Sequence, residues 1–260
     1  MIVLAHRGGK ENKLSGFREF PNAEMDLRVT KDGRIVCSHD PVVKSSRGIE
    51  PIDSLTLREA KELGIASFSE VLDAITCQGL RIPDRIQLDL KPGMERPQLI
   101  SDMLTLIRLH GLEDAAIVSS FIKPIIRETR RQDPEIATGL IKILPSDPIA
   151  RINELKRPGM RSRIYESLYR AYLRPMLALN LLSGSAFADL LRDASDLKAD
   201  FVLFYDLSAT KRFIRKAHRQ GFKVVVGMPN SNWRMHRVRR LGLNDNDIVV
   251  TDNMKYLARA

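Results

Sequence analysis

Asp200-Phe201-Val202-Leu203-Phe204, then Ala209 to Gln220, then Phe222-Lys223-Val224-Val225-Val226-Gly227 form the stretch from which the fold is read. Two short apolar runs, rich in β-branched and aromatic residues, flank a segment whose apolar residues recur at three and four spacing. That pattern predicts strand, helix, strand. A helical crossover returns the second strand parallel to the first. The alternation extends outward from here. Further strands are expected at Ile2–His6, Ala23–Leu27, Arg85–Leu90, Ala115–Ser119, Ile136–Ile141 and Asp247–Thr251. Helical patterns at Phe68–Ile75, Gln98–Leu109, Ile122–Arg130 and Trp233–Leu241 lie between most of them. Eight strands alternating with helices in 260 residues predict an α/β fold, a single (β/α)8 TIM barrel spanning residues 1–260. A doubly wound sheet is the rival, disfavoured because no Gly-x-Gly-x-x-Gly turn follows any strand. Arg34–His39 follows Lys31-Asp32-Gly33, whose Asp-Gly is a hairpin signal, so this run is expected to return antiparallel beside the second strand.

The composition is that of a globular chain. It has 43% hydrophobic and 28% charged residues, which excludes disorder and collagen-like repeats. Forty-two Lys and Arg against 32 Asp and Glu give a net charge of +10. No apolar run approaches the roughly 20 residues that span a bilayer. The opening Met1-Ile2-Val3-Leu4-Ala5 is too short for a signal peptide. Cys37 and Cys77 form neither a disulfide framework nor a zinc spacing, so a reducing cytoplasm is the expected location. The positive charge calls for an anionic partner: a phosphate-bearing substrate, nucleic acid or an acidic membrane. Nucleic acid is disfavoured, because the basic run Trp233–Arg240 equally fits a solvated barrel helix and few aromatics are available for base stacking.

One segment breaks the rhythm. Roughly 60 residues separate the fifth and sixth strands, where a βα unit needs far fewer. Residues 151–175 carry seven Lys and Arg against Glu154 and Glu166, a local charge of +5. Ile164, Leu168, Tyr172 and Met176, with Tyr165, Tyr169, Leu173 and Leu177, form a continuous helical stripe. A basic helical insertion over about residues 145–195 is therefore expected above the barrel mouth, where βα loops gather. Residues 151–182 within it are a candidate for peripheral contact with an anionic membrane.

Polar residues at strand ends carry the chemistry of such barrels. Strand alternation puts Glu24 with Asp26, and Asp89 with Lys91, on common faces. Three carboxylates in one mouth repel one another unless a cation lies between them, and oxygen ligands select Mg2+ or Ca2+ over zinc. The competing reading is interior ion pairing with Lys91 or Arg7. His6 and His39 each end an expected strand beside a charged neighbour, Arg7 or Asp40, and can form an acid/base pair. Arg7 as a bidentate fork and Lys91 as a point charge can hold a phosphoryl group. Together these groups describe metal-assisted phosphodiester cleavage.

His6-Arg7-Gly8, Glu11-Asn12, Glu24-Met25-Asp26, Thr30-Lys31-Asp32-Gly33 and Val36…His39-Asp40 resemble the start of the glycerophosphodiester phosphodiesterase family. Asp89-Leu90-Lys91 falls where that family has Glu-x-Lys, Val118-Ser119-Ser120-Phe121 looks like its Ser-Phe strand end, and Ile248–Asp252 resembles its last strand. The resemblance implies a TIM-barrel hydrolase acting on a small phosphodiester, with one divalent cation held by Glu24, Asp26 and Asp89. It also implies His6 and His39 as base and acid, and Arg7, Glu11, Asn12, Lys91 and Ser119 around the substrate. We assign His6 as base and His39 as leaving-group acid. Three departures stand out. Lys10 and Lys13 flank Glu11-Asn12 where the family has Pro and Thr, Asp89 is one methylene shorter than Glu, and the basic insertion is not a common small-hydrolase feature. The insertion keeps three alternatives open: a phosphodiester synthase or transferase using a sugar or other alcohol, a lysophospholipase D at membranes, and a non-enzymatic phosphate-binding barrel.

Overall fold

The computed structural model describes residues 1–9, 12–46, 48–76, 83–142, 185–206 and 209–257. All eight expected strands form. They are β1 (Ile2–Ala5), β2 (Glu24–Val29), β6 (Ile86–Leu90), β7 (Ala116–Ser120), β8 (Ala137–Ile141), β9 (Phe201–Tyr205), β10 (Lys223–Gly227) and β11 (Ile248–Thr251). Every adjacent pair from β2 through β6 to β11, and β11 with β1, is parallel. The sheet curls until β1 meets β2 at the parallel bridge Ala5–Ala23, where the Ala5 N–H donates to the Asn22 carbonyl at 2.9 Å. The result is the expected (β/α)8 barrel. β3 (Ile35–Cys37) returns antiparallel beside β2, with Leu27 opposite Cys37, as the Asp-Gly turn requires. A two-stranded hairpin, β4 (Val42–Ser45) and β5 (Gly48–Pro51), extends the same connection.

Alternation along each strand splits the side chains into two layers. Leu4, Ile117, Ile141, Phe201, Leu203, Val225, Ile248 and Val250 fill the inside of the barrel. Met25, Leu27, Leu88, Val118, Val202 and Val226 point outward beneath the helices. Those helices include α1 (Leu14–Glu19), α2 (Leu57–Glu62), α3 (Phe68–Thr76), α4 (Pro97–Leu109) and α5 (Lys123–Gln132). They continue with α6 (Ser185–Asp196), α7 (Lys211–Arg219), α8 (Asn232–Arg239) and α9 (Met254–Leu257). Local chemistry starts several of them. Thr56 and Glu59 form a capping box on α2, and Thr210 caps α7 by accepting the Phe213 N–H.

Two expectations change. The first strand ends at Ala5 rather than His6, because Arg7, Gly8 and Gly9 take positive φ and turn the chain out of the sheet. The end of the expected insertion, residues 185–195, is the barrel helix α6, whose Leu190, Leu191 and Ala194 are buried in the cluster shared with β8 and β9. The rest of the insertion, including 151–182, lies outside the described residues.

Candidate active site

Two edges of the barrel build the site. β2 and β6 are in register, with Glu24 opposite Gln87 and Asp26 opposite Asp89, so four polar side chains face inward side by side. Glu24, Asp26 and Asp89 each offer an oxygen within 4.8 Å of the others, and all three are buried. Lys91, the next position inward just past the end of β6, puts Nζ 2.7 Å from Asp26 Oδ1 and 2.5 Å from Asp89 Oδ2. The cation expected for phosphate is thus also the interior partner of two carboxylates. The other Asp89 oxygen, Oδ1, is buried without a hydrogen bond among the described residues, as is Gln87 Oε1.

The turn after β1 supplies the second half. Arg7 sits in the left-handed region at φ 50°, unusual for a side-chain-bearing residue. Its N–H thereby reaches Glu24 Oε2 at 3.0 Å, and its Nε lies 3.4 Å from Asp26 Oδ2. Gly8 follows at φ 63°, where a Cβ would stand 2.9 Å from the Phe17 ring, so glycine is required there. Asn12 closes the turn by donating its N–H to the Arg7 carbonyl at 2.8 Å. Its side-chain amide donates to Asp26 Oδ2 at 3.1 Å. Glu11 lies outside the described residues.

His6 presents Nε2 toward Glu24 Oε2 at 3.9 Å, while Nδ1 is 2.8 Å from Asp252 Oδ1. Asp252 is in turn held by Asn230, whose Nδ2 donates to Oδ2 at 2.6 Å. His39 leaves β3 on the half-exposed rim, with Nδ1 2.8 Å from Asp40 Oδ1. Arg28, inward-facing on β2, donates to the His39 carbonyl through Nε and Nη2 at 3.1 and 2.7 Å, tying this segment to the rim. Ser119 is in register with Asp89 but wholly buried. Its hydroxyl donates to the Leu88 carbonyl and accepts from Gln87.

Burial and crowding set the electrostatics. Burial first, and then the Asp26 charge, push the Glu24 carboxyl up to about 8. Burial raises Asp89 as well. Burial opposes ionisation of Asp26, but Lys91 and then His39 outweigh it and hold Asp26 below the ordinary range. Burial would lower the Lys91 ammonium, yet Asp89 and Asp26 outweigh it and raise it. Burial would likewise lower His6, but its hydrogen bond to Asp252 and the charges of Glu24 and Asp252 raise it.

The sequence reading named seven residues that the structure brings into this constellation: His6, Arg7, Asn12, Glu24, Asp26, Asp89 and Lys91, the last bridging Asp26 and Asp89. His39 stands on its rim and Ser119 in its wall. It missed Asp252, Asn230, Gln87 and Arg28. The inward parity of 87, 89 and 91 pointed to Gln87, and that of Arg28 followed from Glu24 and Asp26. Asp252 follows the last strand two residues beyond inward-facing Val250, a signal present in the sequence but passed over.

Comparison with known proteins is consistent with this geometry. Residues 19–255 match the model of the glycerophosphoryl diester phosphodiesterase family. A glycerophosphodiester phosphodiesterase of Caldanaerobacter subterraneus subsp. tengcongensis is 26% identical over 165 residues, which is 54% of this chain and 66% of the relative's length. A Thermotoga maritima glycerophosphodiester phosphodiesterase superposes with a TM-score of 0.67 at 18% identity, covering 100% of this chain and 97% of that one. An Oleispira antarctica phosphodiesterase, solved with its product sn-glycerol-3-phosphate, gives a TM-score of 0.68 at 18% identity, with the same two coverages of 100% and 97%.

Proposed function

The chain belongs to the glycerophosphoryl diester phosphodiesterase family, and on that premise we propose that it hydrolyses a glycerophosphodiester to a glycerol phosphate and a free alcohol. The observation that carries this reading is one constellation at the barrel mouth. A histidine oriented by a carboxylate faces three buried carboxylates whose oxygens lie within 4.8 Å of one another. An all-oxygen donor set suits one divalent cation such as Mg2+ or Ca2+, and the unpartnered Asp89 Oδ1 and the raised Glu24 fit such a ligand. Glu24, Asp26 and Asp89 would hold it, and when bound it supplies Lewis-acid stabilisation of charge on the phosphoryl oxygens.

The chain's own groups do the rest. Donation of Nδ1–H to Asp252 leaves the His6 Nε2 lone pair free to take the proton of the attacking hydroxyl, from water or from a neighbouring substrate alcohol. Asp252 stabilises the imidazolium that results. His39 protonates the departing alkoxide from the open rim, where the alcohol can leave. Arg7 and Lys91 place fixed positive charge beside the phosphate position, and Asn12 keeps the Arg7 turn closed against Asp26. The test is release of glycerol phosphate from glycerophosphocholine, with and without a chelator. Turnover lost on chelation and restored by Mg2+ or Ca2+ is expected. Turnover indifferent to chelation overturns the metal assignment, and none under any metal overturns the hydrolase reading.

A further inference from the structure

The charge of this protein is not spread over its surface. Residues 211–240 contain ten Lys and Arg and no Asp or Glu, while the other 32 Lys and Arg of the chain balance its 32 Asp and Glu. One stretch, α7 and α8 with the strand between them, thus carries +10 along the sequence, twice the +5 of residues 151–175, although its Arg234 is paired with Asp206. Both helices bury a narrow apolar stripe, Phe213, Ile214 and Ala217 in α7, Met235 and Val238 in α8. Their opposite faces are exposed. Lys211, Arg212 and Lys216 lie on that face of α7, with Arg219, Arg239 and Arg240 at the far ends of the two helices, and none of the six makes an ion pair with a carboxylate among the described residues. Lys211 and Arg240 line one cleft of about 630 Å³ together with Trp233 and His236.

A second, independent observation concerns the exposed large apolar side chains. Five are found among the described residues: Val42, Ile49, Leu109, Phe121 and Trp233. Four of these lie in segments that leave the C-terminal ends of barrel strands, and so on the side of the mouth. Val42 and Ile49 are on the hairpin that follows His39, Phe121 directly follows β7, and Trp233 is in the first turn of α8. Leu109, at the far end of α4, is the exception. Trp233 is 60% exposed and joined to the site by a short path, because Asn230 at the same rim holds Asp252, the partner of His6.

We propose that this rim and the α7–α8 face dock the protein on an anionic phospholipid bilayer. The cations neutralise headgroup charge, and Trp233, with Val42, Ile49 and Phe121 elsewhere on the rim, enters the interface. An indole prefers the headgroup level of a bilayer, and each Lys or Arg near an anionic surface adds about 1 kcal/mol of attraction, or about fivefold in partition. Scattered apolar tips with a single exposed indole suit an interface, whereas single-stranded nucleic acid needs a platform on which successive bases stack. Docking brings the mouth against the lipid. That orientation rests on the functional reading above, while the binding itself does not.

Trp233 is the only tryptophan in the chain, so its fluorescence reports on this face alone. The full-length protein is mixed with vesicles of phosphatidylcholine, or of phosphatidylcholine with phosphatidylserine, and sedimented. Sedimentation with anionic vesicles only, release by salt, and a shift of Trp233 emission to shorter wavelength are expected. Lys211→Gln, Arg212→Gln, Lys216→Gln and Arg240→Gln should each lower partition about fivefold, and a combined variant carrying all four should lose more. All four should keep the melting temperature and the turnover of soluble glycerophosphocholine. Equal binding to neutral vesicles, unchanged partition of the combined variant, or unshifted emission in the bound protein overturns the proposal. So does displacement from vesicles by poly(U) RNA, which would mark the face as a nucleic-acid surface. A loss of soluble turnover in the wild type, with vesicle binding intact, would count against the catalytic reading alone.

Discussion

Asp252 directly follows the last strand with its Oδ1 2.8 Å from His6 Nδ1, which makes it the residue whose removal best tests the role of His6. Asp252→Asn keeps the size but holds the imidazole in the wrong tautomer. Turnover should fall about 10²- to 10⁴-fold with KM little changed, as read from steady-state kinetics on glycerophosphocholine. A KM effect with normal kcat would assign Asp252 to substrate binding instead. His39 is tested by its leaving group. His39→Ala should lose most on an alkoxide substrate and little on an activated aryl ester, and the double variant with His6→Ala should be only slightly worse than His6→Ala. Additive losses would mean that the two histidines act in separate steps.

At the scale of elements, two glycines separate the support of the site from the packing of the barrel. Gly139 in β8 faces the interior, where an added Cβ would stand 2.5 Å from Leu203 Cδ1 and 3.3 Å from Phe201 Cβ. Gly139→Ala should cost about 1–3 kcal/mol by overpacking, measured by urea unfolding, while the folded protein keeps its turnover. Gly8→Ala meets the Phe17 ring at 2.9 Å at positive φ, and it moves the turn that aims the Arg7 N–H at Glu24. It should therefore lower turnover as well as stability. Equal effects of the two changes on turnover would deny the His6–Gly9 turn its positioning role.

At the scale of the molecule, the carboxylate cluster links stability to pH, and its proposed cation should link it to metal as well. With Glu24 pushed up to about 8, the metal-free folded protein binds one more proton than the unfolded chain across the range above the ordinary carboxylate value. The contribution of Glu24 is then fully present at acid pH and lost as pH rises toward 8. A cation takes the place of that proton, so its benefit should grow over the same range, with a proton released on binding. At about 100 times Kd the gain is about 2.7 kcal/mol, or roughly 5 °C or more in Tm for a chain of this size. Thermal melts with chelator and with Mg2+ or Ca2+ from pH 5 to 8 check this. A gap in Tm that narrows with rising pH would contradict the raised Glu24.

The barrel was legible in the sequence because it is written in local periodicity. Strands of alternating or continuous apolar residues, helices with apolar residues three and four apart, and the Asp-Gly turn before β3 each follow from neighbours along the chain. Glu24, Asp26, Asp89 and Lys91 were legible for the same reason, since strand parity alone puts them on inward faces. Other features depended on distances between residues far apart in the chain. Asp252 reaches His6 across 246 positions, and only barrel closure brings the first and last strands together. Lys91 could be read as a phosphate ligand or as an ion-pair partner, and the register of β2 against β6 decided that it bridges Asp26 and Asp89. The left-handed turn at Arg7 was likewise beyond a strand pattern that ran to His6, because a backbone conformation costly in itself is held by contacts to Glu24 and Asn12 from elsewhere in the fold. Residue type and spacing determine which groups face inward, whereas register and closure determine which of them touch.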